Sequence, residues 1–345
     1  MKAAVMRAFG DSNVLTVEEV ETPTPGPGQV LVRVLAFGLN RLDHYLREGS
    51  VTRDIALPHV LGSDAAGVVE AVGEDVTGFV PGERVIPMPG YPLDPADANH
   101  LPISAAPSYA IRGIVEWGAY AQFMIVPARW LLHDDTDLAP EAVATLPMAV
   151  VTCVRAVKTV GEVKPGDHVL VHAGASGTGS MSVQVAKTLG AKVAATVRSS
   201  DKADFVRGLG ADHVIILDGP DWVEEAKRWA GGGVDVVIDN LGGEVFSRSV
   251  DALRVQGRLV SMGMVTGLEA TIQLRPLFFG QKEIRGTLMG DVDDLRWGLD
   301  QVRAGKIKPA LDRVYDLDDI ATAHANLAAG VAKGNLVVSP WKHQP

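Results

Sequence analysis

The sequence predicts an α/β protein made of a β-rich domain and a doubly wound domain with a parallel sheet. Three observations carry this prediction. In the first part of the chain, alternating apolar runs are separated by Pro- and Gly-rich turns. From about Pro165 onward, short apolar runs alternate with helical patterns. A Gly-rich turn joins the first of those runs to the first of those helices.

The β-rich part opens with an alternating run over residues 1–7 and a second, QVLVRVLAFG, over residues 29–38. The turns are TPTPGPG before Gln29 and VPGERV around Pro81. Residues 88–116 carry many prolines and little periodicity, which predicts an extended lobe or loop rather than core. The alternating part then reads as strand 168–173, helix 180–190, strand KVAATV, helix around ADFVRGLG and strand HVIIL. It continues with a helix through Trp229, strand VDVVIDN, a helix through Val255 and strand RLVSMGM. Residues 283–290 supply a sixth strand. The C-terminal piece predicts a helix over 291–303, strand RVYDL, a helix through Ala329 and strand NLVVSP. Neither repeats nor a low-complexity tail interrupt this order.

Composition narrows the function classes. The 345 residues are 47% apolar, enough to bury the cores of two domains. The formal net charge is −10 and the basic residues form no runs. That argues against nucleic-acid or anionic-membrane partners, which require a clustered positive field. A phosphate-bearing cofactor remains compatible, because such sites are built locally from backbone donors and a few cations. The single cysteine, Cys153, cannot form an internal disulfide or build a cysteine metal site alone. The N-terminus lacks the apolar stretch of a signal peptide, and no stretch reads as the roughly 20 apolar residues of a membrane span. A cytoplasmic, soluble protein is expected.

The Gly-rich turn is the strongest motif. Gly174-Ala175-Ser176-Gly177-Thr178-Gly179 is a variant of G-x-G-x-x-G with Ser176 at the second Gly position. Such a turn brings backbone N–H groups and a helix N-terminus up to a pyrophosphate. The motif alone is weak. The strand before it, the helix after it and the further β-α units supply the confirming context. The competing reading is an ordinary strand–helix turn.

The end of the next strand bears on the cofactor. An NAD site places an acid there to accept from the ribose 2′-OH. This chain has Val197-Arg198-Ser199-Ser200-Asp201-Lys202 instead. Arg198, Ser199 and Lys202 suit a 2′-phosphate, so NADPH is expected. Asp201 points the other way, and Arg198 and Lys202 could be ordinary solvated charges. Asn240, Gly242 and Gly243 at the end of the fourth strand, and Gly263 at the end of the fifth, are expected cofactor neighbours, because strand carboxyl ends face the ligand crevice.

Several segments together resemble the medium-chain dehydrogenase/reductase superfamily. They are GLNRLDHYLREG (38–49), the run 57–85, WGAYAQFMIVP (117–127), LPMAVVTCVRAV (146–157), the HAGASGTG loop and the C-terminal GKIKPALDRVYDLDD…NLVV. The resemblance covers nearly the whole chain. It implies a GroES-like catalytic domain over 1–148 and 291–345 around a Rossmann NADPH-binding domain over 149–290. It also implies a homodimer and a small carbonyl or quinone substrate.

In zinc members of the superfamily the catalytic ion is held by a Cys, a His followed by Glu, and a second Cys. Here those positions fall on Asn40, Ser63-Asp64 and Met148, and the four-cysteine structural lobe maps to the cysteine-free 88–116 segment. Catalytic zinc needs three good N, S⁻ or carboxylate ligands, so no metal is expected. His168 and His172 are four apart on a strand, roughly 13 Å, too far to chelate. The relay positions hold Leu42 and Tyr45. Asn40, Asp43 and Tyr45, with Gly62-Ser63-Asp64, look like the quinone oxidoreductase branch. The 88–116 segment departs from it.

Without a Lewis acid, a conjugated enone or quinone is an easier hydride acceptor than a simple ketone. Its developing oxyanion can be met by hydrogen-bond donors. Tyr45 and Asn40 are the candidate catalytic residues. Each has a structural alternative, as a packed aromatic and as a turn cap. Asp43 reads as structural. The resemblance places Thr152 at the nicotinamide end; its alternative is a helix residue bonding back to its own backbone. Lys333 and Asn335, near the final strand, are weaker cofactor candidates. Two other functions remain open: a zinc-type alcohol dehydrogenase relative, and a non-catalytic NADPH-binding protein.

Overall fold

The computed structural model describes residues 1–217, 219 and 221–341 of the chain. These form two compact units. One contains Met1–Met148 and the C-terminal segment from Pro309. The other is Ala149–Lys308.

The first unit runs β1 (Lys2–Met6), β2 (Leu15–Glu19), β3 (Gln29–Leu39), α1 (Arg41–Glu48), β4 (Asp64–Val72) and β5 (Arg84–Pro87). It continues through β6 (Gly90–Pro92), β7 (Tyr109–Ile111), β8 (Phe123–Pro127), β9 (Leu131–His133) and α2 (Pro140–Val143). After α3 (Pro147–Val154), the second unit runs β10 (His168–Val171), α4 (Gly177–Thr188), β11 (Lys192–Val197), α5 (Ala203–Gly208), β12 (His213–Ile216) and α6 (Trp222–Trp229). Then come β13 (Val234–Asp239), α7 (Gly243–Ala252), β14 (Leu253–Ser261), α8 (Leu274–Phe279), β15 (Glu283–Gly286) and α9 (Val292–Arg303). The chain returns to the first unit with β16 (Leu311–Asp316), α10 (Ile320–Ala329) and β17 (Asn335–Ser339).

The main sheet of the first unit has the order β16-β17-β3-β4-β5-β9, with β8 also on β3. Every pairing is antiparallel except β16 with β17. The long, Val-rich β3 is its axis. Val30, Val32 and Val34 are fully buried and pack with Val69, Val85, Met124 and Val126. Phe37 stacks on Tyr120 with ring centroids 4.6 Å apart.

Residues 88–116 form a loop-rich lobe with two short strands, in keeping with the expected extended lobe. β6 and β7 pair, and a buried stack fixes the segment. The Arg112 guanidinium donates to the Tyr91 hydroxyl (2.6 Å) and to the Ile125 carbonyl (3.0 Å). The Tyr91 hydroxyl donates to Glu116 (2.6 Å), and the Tyr91 ring lies against Trp130. The lobe has a polar core of its own, which a periodicity reading cannot register.

The second unit carries one fully parallel sheet, ordered β12-β11-β10-β13-β14-β15. The chain starts at the centre, builds outward to β12, then crosses back to β13. The switch point therefore lies between β10 and β13, where such sheets open their ligand crevice. Two boundaries differ from the sequence reading. α4 starts at Gly177 rather than 180, because Ser176 caps it inside the Gly-rich turn. α7 stops at Ala252 rather than Val255, because β14 begins at Leu253 and bulges before pairing Arg258 with Val236.

The second division of the chain falls at Lys308, whereas the sequence reading placed it at 290. The reason is α9. It buries Leu295, Leu299 and Val302, and Gly298 meets Val150 and Val154 of the α3 segment. Arg155 pairs with Asp291 at 3.1 Å. One further expectation needs correcting. The helical stretch Pro140–Val160 is by length and composition apolar enough to cross a membrane, but 78% of that apolar window is buried inside the structure. Such a helix passes the same test when it forms protein core.

Gly298 gives a test of this packing. A Cβ there would lie 2.1 Å from Val150 Cγ1, whereas one at Gly208 in α5 would meet nothing. Gly298→Ala should destabilise by about 1–3 kcal/mol through overpacking. Gly208→Ala should be neutral or stabilising by up to about 1 kcal/mol. Urea titrations of the two variants check both signs.

Candidate functional site

The predicted site residues fall into two clusters, one in each unit. In the first unit α1 is the organising element. Asn40 is its N-cap, and Gly49 ends it in a left-handed turn. Asp43, Leu46 and Arg47 form its buried face, while Tyr45 is half-buried beside it. The Asp43 carboxylate accepts from the Asn40 backbone N–H (2.8 Å) and from the Tyr120 hydroxyl (2.9 Å). Tyr120 spends its one proton on Asp43, so His324 Nε2, 3.0 Å away, donates to the phenol oxygen. Burial pushes His324 down to about 3, so it stays neutral.

Asp64 closes the second half of this cluster. Its carboxylate accepts from Asn40 Nδ2 (2.9 Å) and from the Met148 backbone N–H (2.7 Å). Ser63 Oγ lies 4.0 Å from Met148 Sδ. Residues 40, 63–64 and 148, far apart in sequence, are thus brought together as the resemblance implies. Burial pushes both Asp43 and Asp64 up to about 7, against their hydrogen bonds. Burial also raises Tyr45, which keeps its phenol protonated at neutral pH.

The donor set does not suit a catalytic zinc. It offers an amide, a hydroxyl, a thioether and one carboxylate already engaged by two hydrogen bonds. Among the described residues no group of three or more His, Cys, Asp or Glu is placed to hold a metal ion.

The second cluster is the candidate dinucleotide site. The loop after β10 turns at Ala173, whose φ is +49. Ser176 Oγ accepts from the Gly179 N–H at 3.0 Å. The N–H groups of Gly177 and Thr178 are left as open donors at the helix start. Glycine is required at two points. A Cβ on Gly174 would sit 2.8 Å from Ala195 Cβ, and one on Gly179 would sit 2.0 Å from the Ala173 carbonyl oxygen. Across the switch point, Asn240 Nδ2 donates to Thr178 Oγ1 (3.1 Å), while its buried Oδ1 has no partner. An unmatched acceptor beside open N–H donors fits a nicotinamide dinucleotide. Gly263 packs so close to Asn240 that a Cβ would lie 2.5 Å from its carbonyl oxygen.

The remaining candidates are placed less uniformly. Arg198 and Ser199 are exposed just beyond β11, and Lys202 is half-buried on the next turn. The Ser199 hydroxyl donates to Asp201. Thr152 is buried, with Oγ1 3.6 Å from Met289 Sδ, rather than bonded to its own helix. Asn335 opens β17 in the first unit, where its N–H donates to the Ala310 carbonyl. It is not among the residues the second unit gathers. The Lys333 N–H donates to Asp312 in the same unit. Sequence reasoning assigned no role to Tyr120 or His324, although both lie in segments that carry the resemblance; Tyr120 meets Asp43, and His324 meets Tyr120, only through the fold.

Known proteins give this arrangement its family. Residues 26–141 match the alcohol dehydrogenase GroES-like domain, and residues 177–304 match the zinc-binding dehydrogenase domain. The chain belongs to the medium-chain dehydrogenase/reductase superfamily and is quinone oxidoreductase-like. It is 32% identical to a 2-haloacrylate reductase of Burkholderia sp, over 98% of both chains. It is 30% identical to a quinone oxidoreductase of Pseudomonas aeruginosa, over 96% of this chain and 98% of that one. A crystal structure of an NAD-dependent alcohol dehydrogenase superposes with TM-score 0.93 and 36% identity, covering 99% of this chain and 100% of that one. The protein is an oxidoreductase of a family that uses nicotinamide cofactors.

The two raised carboxyls predict a pH effect. Asp43 and Asp64 hold protons in the folded state up to about pH 7, whereas an unfolded Asp loses its proton near 4. Between those values the folded state binds more protons, so stability should fall as pH rises. Asp64→Asn should make that fall shallower, as measured by denaturant midpoints at pH 5, 6 and 7.

Proposed function

We propose that the chain is a zinc-independent, NADPH-dependent reductase that transfers hydride to a quinone or an α,β-unsaturated carbonyl. The cluster of Asn40, Ser63, Asp64 and Met148 carries the reading, because it offers hydrogen-bond partners where zinc relatives offer ligands. Two relatives are named for a haloacrylate and for quinones, both electron-poor π systems, which supports the substrate class.

Bound NADPH would supply the hydride. The Gly177 and Thr178 N–H groups and the α4 N-terminus would hold its pyrophosphate. Arg198, Ser199 and Lys202 would hold its 2′-phosphate. In the first unit the chain's task is to meet negative charge on the substrate oxygen. The protonated Tyr45 phenol is the donor best suited to it. Asn40 contributes less, since one of its two amide N–H groups is committed to Asp64. Water can protonate the resulting enolate carbon, so Tyr45 need not be the only proton source.

The competing reading, a zinc-type alcohol dehydrogenase, requires ligands that this cluster does not offer. We further propose a cytoplasmic homodimer without nucleic-acid or membrane partners. The edge strand β15 and its surroundings expose Leu274, Phe278, Phe279 and Leu288, an apolar surface that a second copy would cover.

Two experiments test the reading. In the first, purified protein is assayed for zinc and for turnover of quinones, enones and unsaturated acids with NADPH. Turnover that survives chelators, with zinc far below one per chain, is expected. Tyr45→Phe should lower kcat roughly 10- to 1000-fold and leave NADPH affinity nearly unchanged. Wild-type turnover of a good enone by Tyr45→Phe, with chemistry limiting, would reduce Tyr45 to a packing residue. The second experiment concerns the cofactor, since one solved relative is described as NAD-dependent. Replacing Arg198 and Lys202 together with Ala should cost about 1.5–3 kcal/mol of NADPH binding per lost charge-assisted bond and leave NADH nearly unaffected. Equal losses for both cofactors would refute the 2′-phosphate assignment.

A further inference from the structure

We propose that His172 and Thr196 are positioning residues for the dinucleotide loop, acting through a buried, one-directional hydrogen-bond chain that fixes Ala173. The inference rests on reading the 173–179 loop as the dinucleotide site and goes beyond it, because neither side chain belongs to the motif.

The chain of bonds can be followed proton by proton. Ser249 Oγ, on α7, donates to the Val245 carbonyl (2.7 Å). A serine hydroxyl has one proton, so at 2.7 Å from His172 Nε2 it must accept. His172 therefore carries its proton on Nε2, and Nδ1 is an acceptor. Thr196 Oγ1 lies 3.0 Å from that Nδ1 and donates to it. The same Thr196 oxygen accepts the backbone N–H of Ala173 (3.1 Å). The Gly174 N–H then bonds the Thr196 carbonyl at 2.8 Å, so one residue of β11 holds the first two N–H groups of the loop.

Each member is buried where a missing partner would be felt. His172, Thr196 and Ser249 are all fully buried, and the His172 ring stands edge-on to Trp222. Burial also pushes His172 down to about 3, so the imidazole stays neutral at working pH.

What the chain holds is a strained residue. Ala173 sits at positive φ, a conformation that L-residues keep only where their surroundings over-determine it. The Ala173 carbonyl in turn accepts the Ser176 N–H (2.8 Å), which sets the cap of α4. It is also the atom that Gly179 approaches so closely. Rotating Ala173 out of this conformation would move the open N–H groups at the helix start, and with them the site for the pyrophosphate.

The test uses Thr196→Val, which keeps shape and removes the hydroxyl, with Thr196→Ser as the conservative rescue. The Michaelis and dissociation constants for NADPH and NADH should both rise about tenfold or more in Thr196→Val, the scale of a lost bond that leaves buried partners unmatched. Turnover at saturating cofactor should change by less than about threefold, because the loop is displaced and not deleted. Thr196→Ser should bring both constants back to near wild type. Nitrogen-detected NMR of the wild type should show His172 as the neutral, Nε2-protonated tautomer. Where Thr196→Val does not fold, Ser249→Ala, which removes the far end of the chain, serves with the same constants. Unchanged cofactor constants in a folded variant, whatever its melting temperature, or the Nδ1-protonated tautomer, would overturn the proposal. A wild-type protein that binds neither dinucleotide would remove the reading of the loop itself.

Discussion

The second unit depends on one close approach. α4 can begin where it does only because Gly179 has no side chain to strike the Ala173 carbonyl oxygen, 2.0 Å from where its Cβ would stand. That contact brings the helix N-terminus down against the end of β10, at the switch point of the sheet. Any larger residue would lift the helix and withdraw the open N–H groups from the crevice. The buried bonds from Thr196 and the cap from Ser176 act on the same few atoms. Open backbone N–H groups at a helix start can receive an anion without side-chain cations, so a net charge of −10 does not argue against one there.

This part of the molecule was legible in the sequence because its constraint is local. A glycine spacing, a strand before it and a helix after it are all written within about two dozen residues. The parallel sheet followed from the same alternation, and its strands appear in the order read. Where the reading slipped, at the end of α7 and at the assignment of α9, the deciding contacts were not local. Leu253 leaves the helix to pair with Val234 across the sheet. Gly298 is chosen by Val150, more than a hundred residues earlier. Neither signal is present in a window of periodicity.

The first unit shows the opposite case. Asn40, Asp43 and Tyr45 were visible as a motif, but their chemistry is set by partners that the motif does not contain. Tyr120 reaches Asp43, and His324 reaches Tyr120 in turn, each from a separate segment. Asp43 reads as structural, and in the structure it accepts from the Asn40 N–H at the start of α1. Its raised pKa reflects burial that the sequence does not display. For Asn40 the structure changes the weight of the two readings. It is both the cap of α1 and a donor to Asp64, so its freedom to serve a substrate is reduced.

Asp64 is the residue through which this cluster coheres. The resemblance assigns ligand positions to three segments, at 40, at 63–64 and at 148. Here a carboxylate joins those segments by accepting from the Asn40 amide and the Met148 backbone. Both bonds run toward Asp64, and an ionised carboxylate can accept but not donate. A protonated Asp64 would keep at most a weakened pair. The acid that holds the segments together is thus also one that burial resists ionising. The two tendencies meet near neutral pH, where the bonds favour the charge and the apolar surroundings oppose it. A site held this way is set by hydrogen-bond direction and by the burial around one carboxyl. The proposed function builds on that arrangement, with donors placed around a developing oxyanion.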